Sequence, residues 1–237
     1  DTILVSCMMV NNEIGAIEPI EEIAKIIKAK NPNTIFHVDA IQAYGKLPIV
    51  PKNMGIDLLS TSGHKIHGPK GIGFLYIKEG TKISPIIFGG GQQKGMRSGT
   101  ENVPGIVGLA VACEKMIGKN YENAEKIREV KEYFQERIKE IEDIKDNSGK
   151  APHVASISFK KLRSEVLLHA LEDREIYVSS GSACSSNKKQ AVSGTLNAIA
   201  LSDEFKDGTL RFSFSIENTK EEVDETIKAL KELVPML

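Results

Sequence analysis

The sequence predicts an α/β fold, with a mostly parallel sheet in its first part and a smaller α+β domain at its C terminus. Short, apolar, β-branched runs alternate with a helical pattern early in the chain, an order typical of parallel sheets with helices on their faces. A turn-rich break, "DNSGKAPH", precedes a region of different character. Hydrophobic residues make up 41% and charged residues 27% of the 237 residues, so we expect a proper core.

The predicted strands of the first part are apolar segments separated by turns. Thr2–Val10 is the first, and "TIFHVDA", "IDLLSTS" and "GIGFLYIK" follow. Between the first two, Pro19 suits the first turn of a helix through "PIEEIAKIIKAK". The spacing predicts that four isoleucines share one side of this helix: Ile20, Ile23, Ile26 and Ile27. Sheets of this kind bind ligands beyond the carboxyl ends of their strands.

Helices dominate the middle and the end of the chain. "VPGIVGLAVACEKMI" is followed by a long amphipathic helix whose apolar residues recur at spacings of three and four: Ile127, Val130, Phe134, Ile138 and Ile141. "VASISFK", "IYVSS" and "TLRFSFS" read as strands, and "SEVLLHALED" as a helix. The last helix begins with a capping box, Thr219 and Glu222, and carries an apolar stripe of Val223, Ile227, Leu230 and Val234. We predict domains of residues 1–120 and 121–237.

Charge and cysteine content narrow the class of protein. The formal net charge is −1, from 31 basic and 32 acidic residues, which gives no electrostatic case for direct binding of nucleic acid or of an anionic membrane. No apolar run approaches the ~20 residues of a membrane span. The 3 cysteines show no CxxC spacing, so we expect free thiols in a reducing compartment and a cytoplasmic protein. The chain enters a strand almost at once, as if it began in the middle of a fold.

One lysine stands in an unusual setting. In "STSGHKIHGPKG", Lys65 lies among Ser62, His64 and His67 between two predicted strands. A metal site would use the histidines and have little need of the lysine, so no metal site is predicted. A lysine in a pocket can form a Schiff base with an aldehyde, and pyridoxal phosphate is the commonest aldehyde held by proteins. That cofactor also needs an acid at its ring nitrogen.

The neighbouring strand supplies such an acid. Asp39 ends the strand in "HVDAIQ", Gln42 could reach the ring hydroxyl, and Ser62 and His64 could bind the phosphate. Asp39 and the histidine each have an ordinary alternative. Asp39 alone is most simply a helix cap, and a single histidine is more often an ordinary loop residue. The combination of Asp39 with Lys65 favours the cofactor.

Two further residues have both a structural and a chemical interpretation. Cys184 lies in "SSGSACSSNKK", whose small polar residues favour an exposed loop, so it is either an incidental surface cysteine or a reactive thiol. Cys7 and Cys113 lie in apolar runs and are predicted to be buried. Arg211 lies within the strand "TLRFSFS", where it forms a structural ion pair or binds an anion such as a carboxylate.

The chain resembles the cysteine desulfurases of the NifS/IscS type. These are pyridoxal-phosphate enzymes of fold type I in the class V aminotransferase family. The resemblance is carried, in order, by "VNNEIG", "HVDAIQ", "SGHKIHGPKGIG", "GGGQQKGMRSGTENV", "SSGSACSS" and "RFSFS" with "NTKEEVD". These motifs span Val10 to Asp224, and the lysine and cysteine motifs together are highly specific.

The resemblance implies a role for each matching residue. Lys65 would form the Schiff base and shuttle a proton, Asp39 would pair with the pyridine nitrogen, and Gln42 with the ring hydroxyl. Ser62 and His64 would bind the phosphate. The remaining roles fall on other parts of the chain: Thr100 would reach the phosphate of a neighbouring subunit in a dimer, Asn12 and Arg211 would hold the substrate carboxylate, with Asn12 also against the cofactor, and Cys184 would take up sulfur as a persulfide.

The resemblance also implies an activity and its alternatives. The reaction would convert L-cysteine to L-alanine and pass sulfur to an acceptor or scaffold protein, for iron–sulfur cluster assembly or tRNA thiolation. Family members carry a further N-terminal part, with a phosphate-binding turn and a histidine that stacks on the cofactor, and this chain lacks it. A non-catalytic fragment of the family is therefore one alternative. A selenocysteine or cysteine sulfinate lyase, which can act without the loop thiol, is the other.

Overall fold

The computed structural model describes residues 1–117, 121–180 and 193–237. The chain divides into two compact units. The first unit consists of residues 1–9 and 18–121, and the second unit of residues 10–17 and 122–237. The short segment 10–17 therefore belongs with the second unit, although it lies within the first part of the sequence.

The first unit is built on a four-stranded sheet in the order β1-β2-β3-β4. The strands are β1 (Leu4–Met8), β2 (Ile35–Asp39), β3 (Leu58–Ser60) and β4 (Leu75–Ile77). β1, β2 and β3 run parallel, while β4 pairs antiparallel with β3. Two helices accompany the sheet, α1 (Ile20–Lys30) and α2 (Val103–Ile117). This confirms the predicted α/β class with a mostly parallel sheet.

The two faces of this sheet differ in burial. Phe36 and Val38 of β2, and Leu59 of β3, point to one face and are buried. The other face carries alternate residues of each strand, which are exposed or half-buried: Leu4, Ser6, Met8, Ile35, His37, Asp39, Leu58, Ser60, Leu75 and Ile77. Because side chains alternate along a strand, the register assigns these residues to one surface, called here the open face.

The second unit contains an antiparallel sheet in the order β5-β6-β8-β7. Its strands are β5 (Ile144–Asp146), β6 (Val154–Phe159), β7 (Ser179–Ser180) and β8 (Thr209–Ser213). Its helices are α3 (Glu122–Arg137), α4 (Ser164–Glu172), α5 (Gly194–Ala198), α6 (Asp203–Lys206) and α7 (Lys220–Leu233). One apolar core joins α3, α4 and α7 to β6 and β8. The unit is thus α+β, the class that the sequence predicts for the C-terminal part of the chain.

The segment 10–17 packs within the second unit. The N–H groups of Gly149 and Ala151 donate to the carbonyls of Ile14 and Gly15. Gly15 has φ +71°, and a Cβ there would lie 3.2 Å from the Cβ of Val154. The "NNEIG" turn therefore needs its glycine both for conformation and for close packing. This segment also presents Asn12 and Glu13 to other parts of the unit.

Most predicted elements are present, and the differences have local causes. The capping box of α7 forms as predicted, with the Glu222 N–H donating to Thr219 Oγ1. The apolar stripe from Ile127 to Ile141 is buried, as predicted, but α3 ends at Arg137: Ile138 lies in a 3-10 turn and Ile141 is extended, so the predicted helix was too long. Ile26, in contrast, is 70% exposed, because the apolar side of α1 is centred on Ile20 and Ala24. β5, α5 and α6 were not predicted, since each is too short to show a period.

Candidate functional site

The carboxyl ends of β2 and β3 bring together the two main candidates of the first unit. Asp39 is the last residue of β2, and its Cα partner in β3 is Ser60, the last residue of that strand. The N–H of Ala40 donates to the carbonyl of Ser60 at 2.9 Å, which extends the pairing by one residue. Lys65 follows Ser60 in the next turn, Gly63–Ile66. The acid and the lysine therefore emerge from adjacent strands at the same edge of the sheet.

Asp39 serves a local structural purpose as well. Its Oδ1 accepts the N–H of Ile41 at 2.9 Å, which stabilises the turn that follows β2. This side chain thus stabilises a turn and not the start of a helix, because no helix begins in the described residues between β2 and β3. Asp39 is half-buried on the open face, so the cap does not remove the carboxylate from the surface. Gln42 lies in the same turn and is also half-buried.

A histidine on the open face was missed by sequence reasoning. His37 shares this face with Asp39, two residues away on β2. Its Nδ1 lies 2.7 Å from Ser6 Oγ on β1, and its Nε2 lies 3.1 Å from Ser60 Oγ on β3. The ring therefore ties the three parallel strands together beside Asp39. The period-2 alternation of "IFHVD" could have placed His37 on the side of Asp39, but the serine partners depend on register between distant segments.

The lysine loop has a tightly defined backbone. Lys65 lies in a single 3-10 turn, and His67 ends that turn with φ +62°. The N–H of Gly68 donates to the carbonyl of Gly63 at 2.9 Å. A Cβ on Gly73 would lie 2.4 Å from the carbonyl oxygen of Thr61, so the strand that returns from the loop passes too close for any other residue.

The two candidate phosphate ligands are in contact with each other. Ser62 Oγ lies 2.7 Å from His64 Nδ1. His64 and His67 are exposed, and no group of three or more histidine, cysteine, aspartate or glutamate side chains is placed to hold a metal ion in the part of the chain that the structure describes. Thr100, the predicted ligand of a neighbouring subunit's phosphate, is exposed in the loop before α2.

The second unit brings Arg211 and Asn12 together. Arg211 lies on β8, where its Nη1 donates to the carbonyl of Asn12 at 2.9 Å and its Nη2 donates to Ser179 Oγ at 3.2 Å. Its Nε is buried without a hydrogen-bond partner among the described atoms. Within residues 1–117, 121–180 and 193–237, no carboxylate forms a salt bridge with Arg211. Since the described chain supplies no acid, the structural ion pair weighed above loses support.

Cys184 lies outside the described residues, in the segment between Ser180 and Ser193. Both flanking positions are held in the second unit. Ser180 pairs with Leu210 in the sheet. On the other side, Ser193 caps α5 and donates to Glu13, which also accepts a hydrogen bond from Thr195 Oγ1 at 3.0 Å. The residues that precede and follow the cysteine motif are thus anchored.

Cys7 and Cys113, which the sequence predicts to be buried, are only half-buried. Cys7 is half-buried, and burial, together with the charge of Glu18, raises the pKa of its thiol. Cys113 is half-buried on α2, and its thiol adds to the effect of burial in raising the pKa of Tyr44. A raised pKa keeps a thiol protonated at neutral pH, so Cys7 is disfavoured as a nucleophile.

Among the described residues, no helix is both long and apolar enough to cross a bilayer.

Several proteins of similar sequence are described as cysteine desulfurases. A cysteine desulfurase IscS of Dictyoglomus turgidum is 42% identical over 100% of this chain, which covers 60% of that protein. A cysteine desulfurase IscS of Methanosarcina thermophila is also 42% identical, and the chain covers 59% of it. The chain thus spans about 60% of the length of these relatives.

Solved structures extend the likeness to the whole described fold. A NifS-like protein superposes with a TM-score of 0.90 at 37% identity, covering 100% of this chain and 62% of that one. The apo cysteine desulfurase of Thermococcus onnurineus gives a TM-score of 0.83 at 28% identity, covering 99% of this chain and 60% of that one. The family model of aminotransferase class-V matches residues 1–226. The chain belongs to the aminotransferase class-V family.

Proposed function

We propose that this chain supplies the cofactor-binding lysine and the sulfur-accepting cysteine of a cysteine desulfurase, which converts L-cysteine to L-alanine and keeps the sulfur as a persulfide. The observation that carries the proposal is the pairing of Asp39 with Ser60, which places an acid and the Lys65 turn at one sheet edge. Sequence identity of about 40% to proteins named cysteine desulfurase supports the same reading.

The residues present fit pyridoxal phosphate by their chemistry. The cofactor, when bound, supplies an aldehyde and an electron-withdrawing ring. Lys65 offers the amine that holds the aldehyde, and Asp39 offers a carboxylate for the ring nitrogen. Ser62 and His64 offer a hydroxyl and an imidazole for the phosphate, and Gln42 offers an amide for the ring hydroxyl. Asn12 is proposed to assist at the cofactor, and Thr100 to bind the phosphate of a partner subunit in a homodimer.

The proposed substrate contacts lie in the second unit. Arg211 suits a carboxylate, because its guanidinium has no acid partner among the described residues and retains a buried Nε–H without an acceptor. The backbone carbonyl of Asn12 accepts a hydrogen bond from Arg211. We assign the substrate carboxylate to this pair. Lys65 is the base that takes the proton from the substrate Cα.

Cys184 is the proposed nucleophile. Its thiolate attacks the sulfur of the substrate, the carbon–sulfur bond breaks with its electron pair left on the substrate carbon, which takes up a proton to give alanine, and the sulfur remains on Cys184 as a persulfide. Only the thiolate reacts, so the rate depends on its ionisation. Transfer to an acceptor or scaffold protein, for iron–sulfur cluster assembly or tRNA thiolation in the cytoplasm, completes the proposed cycle.

Cofactor capture tests the first step directly. The chain is incubated with pyridoxal phosphate, reduced with borohydride and mapped by peptide mass spectrometry. We expect the adduct on Lys65, and its loss in Lys65→Ala. Lys70→Ala, in the same loop, is the matched control and should keep the adduct. An adduct spread over many surface lysines, with none enriched at Lys65, contradicts the proposal.

Measurement of alanine release distinguishes the proposed desulfurase from two alternative functions. Because the chain spans about 60% of its relatives, it could be a non-catalytic part of such a protein, which predicts capture at Lys65 without alanine release from cysteine. A selenocysteine or cysteine sulfinate lyase does not need the loop thiol. Cys184→Ser should abolish alanine release from L-cysteine, and Cys113→Ser should not. Full activity in Cys184→Ser favours the lyase.

A further inference from the structure

A second lysine is buried against the lysine loop. Lys46 is only 5% exposed, and its Nζ donates to the backbone carbonyl of Lys65 at 2.9 Å. It follows Gly45, whose φ is +77° and whose Cβ position would lie 2.9 Å from Met116 Cγ. The backbone at Lys46 is thus held by packing that only glycine allows, and its side chain points at the loop.

Burial of Lys46 in this position lowers the stability of the fold, which is unfavourable for a lysine that only fills space. Burial, and then the charge of Lys65, lower the pKa of Lys46 to about 8. No salt bridge to Lys46 occurs in the three described stretches of chain. Elsewhere in the first unit, Asp57 is buried with Lys28 and Lys78 as direct partners. A buried ammonium without an acid is destabilising compared with an apolar side chain of the same size.

The lysine loop is closed by short bonds at Gly63 and Gly68, and the Lys46 bond acts at Lys65, where the backbone hydrogen bond of the turn is long. The N–H of Lys65 donates to the Ser62 carbonyl at 3.3 Å, which is long for a backbone hydrogen bond. A single 3-10 turn has few internal bonds with which to fix the peptide plane that follows Lys65. The charge-assisted bond from Lys46 acts on that plane directly.

We propose that Lys46 is a positioning residue for Lys65: its buried ammonium holds the Lys65 carbonyl and so fixes the direction in which the Lys65 side chain leaves the turn. The role rests on the proposed function of Lys65 as the cofactor-binding amine. Lys46 itself touches neither cofactor nor substrate in this scheme, because its Nζ is engaged with the loop backbone.

Three variants test the proposal. Lys46→Met keeps the apolar stem but removes the donor, and Lys46→Arg keeps a cationic donor. Lys131→Met is the matched control, because Lys131 is likewise buried, at 3% exposure, and donates to the Gly149 and Ala151 carbonyls in the second unit. A space-filling role for Lys46 would be preserved by methionine and lost with arginine, the reverse of what positioning predicts.

The first measurement needs no cofactor. Amide hydrogen exchange at Lys65 and Gly68 should be about tenfold faster in Lys46→Met, since a charge-assisted bond to the turn is lost. Amides of α7 report global unfolding and should be unchanged, and Lys46→Arg should restore most of the protection. Unchanged exchange at Lys65 and Gly68 in Lys46→Met would overturn the proposal, as would equal acceleration in Lys131→Met.

The second measurement is the rate of borohydride-trapped capture of pyridoxal phosphate at Lys65. We expect a loss of about tenfold in Lys46→Met, recovery in Lys46→Arg and no change in Lys131→Met. Capture at the wild-type rate in Lys46→Met, or transfer of the adduct to Lys46 in the wild-type chain, would refute the positioning role. If the wild-type chain captures nothing at Lys65, the proposed function fails, while the exchange measurement still decides the question of Lys46.

Discussion

The sheets of the two units each contain four strands but bury them differently. In the second unit, all six residues of β6 are buried, so the centre of that sheet is packed on both faces. In the first unit only one face is packed, and the open face mixes apolar residues such as Leu75, 46% exposed, with Ser6, His37 and Asp39. Lys65 and Asp39 thus lie in the unit whose sheet is less completely buried, whereas the proposed substrate contacts Asn12 and Arg211 lie in the second unit.

The difference in burial between the two sheets affects how much each contributes to stability. Stability in a sheet comes mainly from burial of apolar area, so the second unit should contribute most through its core. The open face contributes little to its own unit and is free to carry polar groups whose geometry is set by hydrogen bonds. Functional sites commonly combine incomplete burial with precisely bonded polar side chains of this kind.

The largest expected effect is in the core of the second unit. Leu210 is fully buried on β8, and Leu210→Ala should lower the free energy of unfolding by about 3 kcal/mol, from lost apolar contact and the cavity left behind. Denaturant unfolding followed by circular dichroism measures it. Leu75→Ala is the matched control and should cost less than about 1 kcal/mol. An equal loss of unfolding free energy in the two variants would mean that the two sheets do not differ in how strongly burial stabilises them.

A buried network of charged groups stabilises the first unit. The Asp57 carboxylate accepts hydrogen bonds from Lys28 Nζ and Lys78 Nζ and from the Phe36 N–H. Burial opposes ionisation, but these donors outweigh it and lower the pKa of Asp57. Asp57→Asn should cost about 2 kcal/mol at pH 7, because Lys28 loses its charged partner. Lys139→Gln, at an exposed pair with Glu136, is the control and should be near neutral.

The lowered pKa of Asp57 also determines the direction in which the free energy of unfolding changes with pH. Since the folded pKa of Asp57 lies below its unfolded value of about 3.9, its contribution is full above that value and is lost as pH falls through the folded pKa. The stability difference between the wild-type chain and Asp57→Asn should therefore shrink below about pH 4. Urea unfolding from pH 7 to pH 3 measures the difference. A gap that stays constant over that range would mean that ionisation of Asp57 does not contribute.

A smaller effect is expected at the start of α7. Thr219 Oγ1 accepts the Glu222 N–H, and the Glu222 carboxylate accepts the Thr219 N–H in return. Thr219→Ala should cost about 1 kcal/mol, and Thr219→Ser, which keeps the hydroxyl, should cost much less. Thermal unfolding compares the pair. Equal losses in the two variants would assign the effect to the methyl group and not to the cap.

Sequence patterns predicted the elements well where the signal is local. The capping box and the stripe from Ile127 to Ile141 need only residues close in the chain. The lysine loop was found for the same reason, since Ser62, His64 and Lys65 are contiguous. Asp39 was selected because it ends a strand, and its partner Ser60 became visible only with the β2–β3 register.

Long-range contacts were beyond the same reasoning. Arg211 and Asn12 are hydrogen-bonded although 199 positions separate them. The segment 10–17 likewise packs with the second unit, although more than a hundred residues lie between it and the rest of that unit. His37 and Lys46 were missed because their partners are a serine hydroxyl on another strand and a backbone carbonyl. Such partners have no sequence signature, since every residue carries a carbonyl and serine is common.

The smallest expected effect tests the open face itself. Leu75 on β4 and Leu59 on β3 lie on opposite faces of paired strands, and Leu59 is 2% exposed. Leu75→Thr should change the free energy of unfolding by less than about 0.5 kcal/mol, because threonine keeps the strand preference and little buried area is lost. Leu59→Thr should cost more than about 2 kcal/mol, because it buries a hydroxyl and leaves a void. If Leu75→Thr were as costly as Leu59→Thr, the open face would be packed in solution, and His37 and Asp39 would then be held by contacts beyond those between β1, β2 and β3.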